Sequence, residues 1–248
     1  MIAHGAVVPH APVLIEDIQP SLDEGRRVRK VFDALDFSTA DVIVLISPHG
    51  STAGIYERCE GSLRGFGIDG FEVERDTDAE LSLALARAWG RPPIDARLDF
   101  GIAVPLLLGL GGDLPVVGVS LPRTTGLKGD SLSDALDAAG TLADVLTTTT
   151  DGRDLAVVAS AHASAGLAAR APLTEVPGAT EADRDLVAAL EEDPALVEGL
   201  IGRLHAIGQA CGVGPLATLG RLFEGWRTEG ITYEAPYGVG YMVGQWTP

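Results

Sequence analysis

"DVIVLISPHG", Asp41–Gly50, decides the fold. The run from Val42 to Ser47 is almost free of polarity, as expected of a strand buried on both faces of a parallel sheet. A proline and a histidine follow at once, so the strand carries His49 to its own carboxyl end. "VVPH", Val7–His10, repeats the arrangement after a first strand over 2–8. "LAVVAS", 155–160, is a third such run, and His162 follows it.

Helix-like segments alternate with these strands. "LDEGRRVRKVFDAL" predicts a helix over 22–35. "TDAE" predicts a capping box, with Thr77 as N-cap and Glu80 three residues on, and a helix to Trp89. "FEVER", 71–75, reads as an outer strand and "PVVGVS", 115–120, as a buried one. Further helices are expected from about Ser131, over 181–192 behind the box "TEAD", and over 194–209 with Pro194 at the first helical position. "YGVGYMVGQW", 237–246, predicts a closing strand. The alternation implies a single α/β domain over 1–248, with a central, largely parallel sheet flanked by helices. No linker rich in Pro, Gly and Ser divides it. Ligands of such sheets bind at the carboxyl ends of the strands.

The chain has 248 residues and a formal net charge of −17. That charge argues against nucleic acid or an anionic membrane as partner. No apolar run approaches the length of about 18 residues that suggests a membrane span, and the opening does not read as a signal peptide. Cys59 and Cys211 are the only cysteines, which suits a reducing cytoplasm better than a disulfide framework.

Of five histidines, His10, His49 and His162 share one address, the carboxyl end of a strand. Imidazole suits iron, copper and zinc, and Pro9 and Pro48 stiffen the approach of two of the three. One histidine after a strand is usually a loop or core residue; three at one sheet edge suggest a site. His4, inside strand 2–8, and His205, on the helix 194–209, read as packing. Cys211, in "QACGVGPL", lies between two helices. A thiolate near a helix N-terminus is stabilised and binds soft metals. A buried structural cysteine is the alternative there, and the plain reading of Cys59.

"VVPHAPVLI", "VIVLISPHG", "DFGIAVPLLLGL", "VVASAHASAGLAARAP", "CGVGPL" and "YEAPYGVGYMV" resemble, in order and spacing, the class III extradiol ring-cleavage dioxygenase superfamily. It includes the LigB-type enzymes and the Memo proteins. The resemblance spans nearly the whole chain. It implies that His10 and His49 bind a non-haem ferrous ion. The family's glutamate ligand falls near Gln209, Ala210 and Cys211, where there is no acid. Memo-like proteins have a cysteine in "CG-x-x-P", matched by Cys211, so the third ligand implied is Cys211; Glu224 and Glu234 are carboxylate alternatives.

Two departures accompany the match. Ring-cleaving enzymes have "DHG" where this chain has Asp99, Phe100 and Gly101. They have a motif like "S-x-D-x-S-H" where it runs from Ser160 to Ala165. Two histidines of the usual mechanism are thus absent, and His162 is the candidate acid/base. Asp99, Phe100 and Ser160 are the substrate-facing candidates. The resemblance implies a non-haem dioxygenase taking dioxygen and a small catechol-type or aminophenol-type aromatic, with Fe(II), or else copper or zinc, in a homodimer. The alternative is a Memo-like copper or iron protein, redox or interaction, without ring cleavage.

Overall fold

All of Val42–Ser47 is buried, and it forms a strand in the middle of the main sheet. The computed structural model describes residues 1–19, 25–50, 52–124, 132–168, 174–207 and 210–248. In chain order its elements begin with β1 (Ile2–Val8), α1 (Arg26–Asp33) and β2 (Val42–Ser47). Then come β3 (Gly54–Tyr56), β4 (Cys59–Ser62), β5 (Glu72–Arg75), α2 (Ala79–Trp89), β6 (Pro93–Ile94) and α3 (Phe100–Leu107). β7 (Val116–Ser120), α4 (Leu132–Thr148) and β8 (Leu155–Ser160) follow. The chain closes with α5 (Ala179–Glu192), a 3-10 segment (Pro194–Leu200), α6 (Ile201–Ile207), α7 (Val213–Leu222), β9 (Arg227–Glu234) and β10 (Tyr241–Thr247).

Eight strands form the main sheet in the order β6-β3-β7-β2-β8-β1-β10-β9. The central strands β7, β2, β8 and β1 are parallel, and β10 and β9 continue antiparallel from β1. This is the α/β domain expected, with its largely parallel centre. Alternate residues of β2 enter two separate cores, because successive side chains point to opposite faces. Val42, Val44 and Ile46 pack with residues of α2, α4, α5, α6 and α7. Ile43 and Leu45 pack with residues of α1 and α3. Burying each such side chain contributes roughly 1.5–3 kcal/mol. No helix among the described residues is long and apolar enough to cross a membrane.

Local details differ from expectation. Asp78, not Thr77, caps α2: its carboxylate accepts from Leu81 N at 3.0 Å and pairs with Arg153. An Asp at the cap adds a favourable charge to the helix dipole, which Thr cannot. Helix α5 starts behind Gly178, so the threonine of "TEAD" lies inside the helix rather than capping it. The expected helix over 194–209 is a 3-10 segment and then α6, with Asp193 accepting from Ala195 N at 3.0 Å; residues 208 and 209 lie outside the described ones. So do 22–24 of the first predicted helix and Ser131. β5 pairs with β4 in a separate ribbon. β10 starts at Tyr241, after a 3-10 turn at Pro236–Gly238.

Candidate metal centre

β2, β8 and β1 are consecutive in the sheet and parallel, so their carboxyl ends lie together. Each continues two residues to a histidine: Ser47 to His49, Ser160 to His162, Val8 to His10. The rings meet. His10 stacks on His162 with centroids 3.8 Å apart and meets His49 edge-on at 4.8 Å.

His10 is the hub. The Ser160 hydroxyl donates to the Gly101 carbonyl at 2.5 Å. Having one proton, that hydroxyl must accept from His10 Nδ1, 2.8 Å away. His10 therefore carries its proton on Nδ1 and leaves Nε2 as a bare lone pair. The Gly101 carbonyl is open to Ser160 for a reason in the sequence. Residue 105 of α3 would ordinarily bond to it, and residue 105 is proline, which has no N–H.

Two groups converge on that lone pair. His49 Nε2 is 3.0 Å from His10 Nε2, and Cys211 Sγ is 3.4 Å from it. A single lone pair cannot satisfy both neighbours as donors, whereas a cation could bridge His10 Nε2 and either of them. The spacings fit. Two nitrogens about 2.1 Å from one ion and at right angles stand about 3.0 Å apart, and a nitrogen and a thiolate sulfur stand about 3.1–3.6 Å apart. Each pair, taken by itself, therefore fits a small, borderline-soft ion. Among the described residues, the set whose ligand atoms all lie within 4.8 Å of one another is His10, His162 and Cys211. The Nε2 of His162, however, accepts the backbone N–H of His10 at 3.1 Å, so its lone pair is engaged.

The turn that carries His49 is tied down from below. Ser47 Oγ accepts from His49 N at 3.1 Å and donates to Asp99 Oδ1 at 2.5 Å. Asp99 caps α3 through Gly101 N at 2.7 Å and accepts from the Tyr56 hydroxyl at 2.9 Å. Burial, partly offset by these bonds, raises its pKa above the usual carboxylate range. Both Asp99 oxygens and the fully buried Ser160 hydroxyl are thus occupied by protein partners. Of the three expected substrate-facing residues, Phe100 is the one that lays a ring on the histidines: it stacks on His49 at 4.0 Å and meets His10 at 5.6 Å. The segment Asp99–Gly101 therefore braces His49 through Ser47 and His10 through Ser160.

Gly212 brings Cys211 in. A side chain there would meet Ala161 Cβ at 2.5 Å and the His162 carbonyl at 3.0 Å, so only glycine lets this turn lie on the β8 exit. Contrary to expectation, burial outweighs the backbone hydrogen bonds at His162 and Cys211 and pushes the Cys211 thiol up to about 11. A bound cation reverses that balance by favouring the thiolate. Burial also lowers all three imidazoles. His49 and His162 fall to about 3, with the Arg123 charge adding to the effect at His49 and the His49 ring at His162. His10 is lowered well below the ordinary value by burial and then by both neighbouring rings. All three are neutral at neutral pH, the state a ligand needs.

The remaining candidates lie apart. His4 bonds to Thr39 Oγ1 at 2.5 Å and to Gln245 at 3.2 Å. Glu234 is taken up by Arg27 and Val28 N, both at 3.0 Å, and Glu224 is an exposed residue after α7. Cys59 is buried and donates to the Val116 carbonyl at 3.2 Å. Sequence reasoning missed Ser47, Tyr56 and Arg123, and also Tyr241, whose ring lies 5.0 Å from His162. Ser47 was visible inside "SPHG"; the others carry no local signal.

No protein-family model matches the chain, and no curated protein matches it. Among solved structures it is similar to the uncharacterized protein JW3007 from Escherichia coli K12, with a TM-score of 0.58 and 16% identity over 98% of this chain and 99% of that one. The likeness is one of fold.

Proposed function

We propose that this chain is a non-haem metal protein of the class III extradiol dioxygenase type, which acts with dioxygen on a catechol-like or aminophenol-like ring. His10, His49 and Cys211 hold the ion, and His162 handles protons. The observation that carries this reading is the convergence of His49 Nε2 and Cys211 Sγ on the inward lone pair of His10. A ferrous ion bound there would offer open positions to the aromatic hydroxyls and to dioxygen, and would acidify a hydroxyl.

The chain supplies the rest. Phe100, flat against His49, gives an aromatic ring an apolar wall. Ser160 keeps the His10 tautomer that leaves Nε2 free. His162, accepting at Nε2, holds its one proton on Nδ1 and can donate a hydrogen bond from there to a bound substrate. Anaerobic loading with Fe(II), followed by oxygen uptake with a panel of catechols and aminophenols, tests the proposal. Absence of turnover with every ortho-dihydroxy and ortho-aminohydroxy ring at full iron occupancy would reject it.

Cys211 favours a second reading. A sulfur donor in place of a carboxylate selects softer ions, so a Memo-like copper or zinc protein without ring cleavage suits the same atoms. Copper retained through purification, lost in Cys211→Ser and unaccompanied by oxygen uptake would favour it.

A further inference from the structure

Just beyond His162 the chain is gripped by the entry to β10. The Ala163 N–H donates to the Gly240 carbonyl at 2.9 Å, and the Gly240 N–H donates to the Ser164 carbonyl at 2.8 Å. His162 itself forms an antiparallel bridge with Tyr241, the first residue of β10. Where Gly240 stands therefore decides where the backbone of His162 runs.

Gly240 stands against a buried acid. Asp183 of α5 is 1% exposed, and its Oδ2 accepts the Tyr233 hydroxyl of β9 at 2.7 Å. A side chain at 240 would run into Asp183 Oδ2 and would meet the Tyr233 hydroxyl at 3.0 Å, so the carboxylate occupies the space that glycine leaves. Ser164 lies at the same point: burial raises the pKa of Asp183, and Tyr233 and Ser164 oppose the rise. Asp183 Oδ1 and the Ser164 hydroxyl are both buried with no hydrogen-bond partner among the described residues. An incompletely bonded acid, buried beside no cation, lowers stability. Stability therefore does not account for it, whereas position does. The carboxylate joins α5, β9, the entry to β10 and the exit of β8, and that exit carries His162.

We propose that Asp183 is a positioning residue for His162. It fixes Gly240, Gly240 fixes Ala163 and Ser164, and the imidazole is thereby kept where its Nε2 accepts the His10 N–H at 3.1 Å. The proposal rests on the role in the reaction given to His162 above, but the placement of the ring can be read without turnover.

The test compares the wild type with Asp183→Leu, Asp183→Asn and Tyr233→Phe. Nitrogen NMR of histidine-labelled, metal-free protein reports the His162 ring, and oxygen uptake by the iron-loaded protein with a catechol panel reports its use. In Asp183→Leu the Nε2 resonance should move toward that of an imidazole with no donor on it. The kcat should fall about 10- to 100-fold, the effect of a displacement of about 1 Å, with KM and iron affinity held. Asp183→Asn, whose amide oxygen still accepts from Tyr233, should restore both readings. Tyr233→Phe should shift them in the direction of Asp183→Leu, and it carries the test if the leucine variant does not fold. A folded Asp183→Leu or Tyr233→Phe variant with an unmoved Nε2 resonance would overturn the proposal. So would iron affinity and kcat falling together, which is the mark of a merely structural role. If the wild type takes up no oxygen with any catechol, the ring-cleavage reading falls and the resonance alone decides the placement of His162.

Discussion

Ser160 and Gly101 share a hydrogen bond of 2.5 Å from hydroxyl to carbonyl, and that bond settles which nitrogen of His10 is protonated. Its partner bond, 2.8 Å to His10 Nδ1, follows from it. In Ser160→Ala the ring loses its acceptor and the tautomer is released. Metal affinity is expected to fall about 10- to 100-fold, as for other groups that orient a ligand from behind. Leaving a buried N–H unpartnered costs about 1–3 kcal/mol of stability. Competition titration with Zn(II) and urea unfolding read the two effects separately.

Ligand and proton-transfer roles separate by substitution. His10→Ala should abolish stoichiometric metal binding, because every close contact of the group passes through that ring. His162→Gln should keep the metal and lose turnover. Metal analysis of both variants beside oxygen uptake decides the matter. Loss of metal in His162→Gln would move His162 into the ligand set that its position within 4.8 Å of His10 and Cys211 permits.

Acid should unfold the metal-free protein through the same imidazoles. His49 and His162 are held near about 3 in the folded chain, chiefly by burial, and an unfolded histidine titrates near about 6.5. Between those values the unfolded chain binds protons that the folded one refuses, so stability rises with pH there. Stability is therefore expected in full above about pH 6.5 and to decline as pH falls toward about 3, by up to about 1.4 kcal/mol per unit for each ring. Asp99 and Asp183, raised by burial, act in the opposite sense toward the acid end. Urea midpoints measured across this range should fall with pH; midpoints that stay flat would contradict buried neutral imidazoles.

Gly212→Ala tests how Cys211 is delivered. Its methyl group would press into Ala161 and the His162 carbonyl at 2.5 and 3.0 Å. Relief requires the turn to back away from β8, at about 1–3 kcal/mol for overpacking. Both the melting temperature and the sulfur-to-metal charge-transfer band of the Co(II) form should decline. A variant with normal absorption and lowered stability would place the strain elsewhere.

How far the sequence can be read varies with the kind of residue. β2 and β8 have the predicted ends, because an unbroken apolar run bounded by turn residues has one reading at that length. β9 gives no such signal: it is an edge strand whose polar and apolar residues do not alternate, and Gly230 interrupts it at a φ of 113°. Gly199 and Gly202 weaken the expected long helix beyond Pro194, where the chain takes up 3-10 geometry first. α3 carries a recognisable motif but no clear helical signal, since Pro105 argues against a helix. At the site, the three histidines are legible because strand ends fix their place. Arg123 is not, since its neighbour depends on how β7 pairs with β2, a long-range fact that no local pattern encodes.

Pro105 illustrates a compromise at the level of a single backbone atom. A missing rung in α3 is the socket into which Ser160 plugs, so a local flaw in the helix serves a ring on another strand. Alanine at that position would restore the rung and, with it, a rival for the carbonyl. Such a chain is expected to melt higher and grip its ion less well, with robustness and competence pulling against each other at one position.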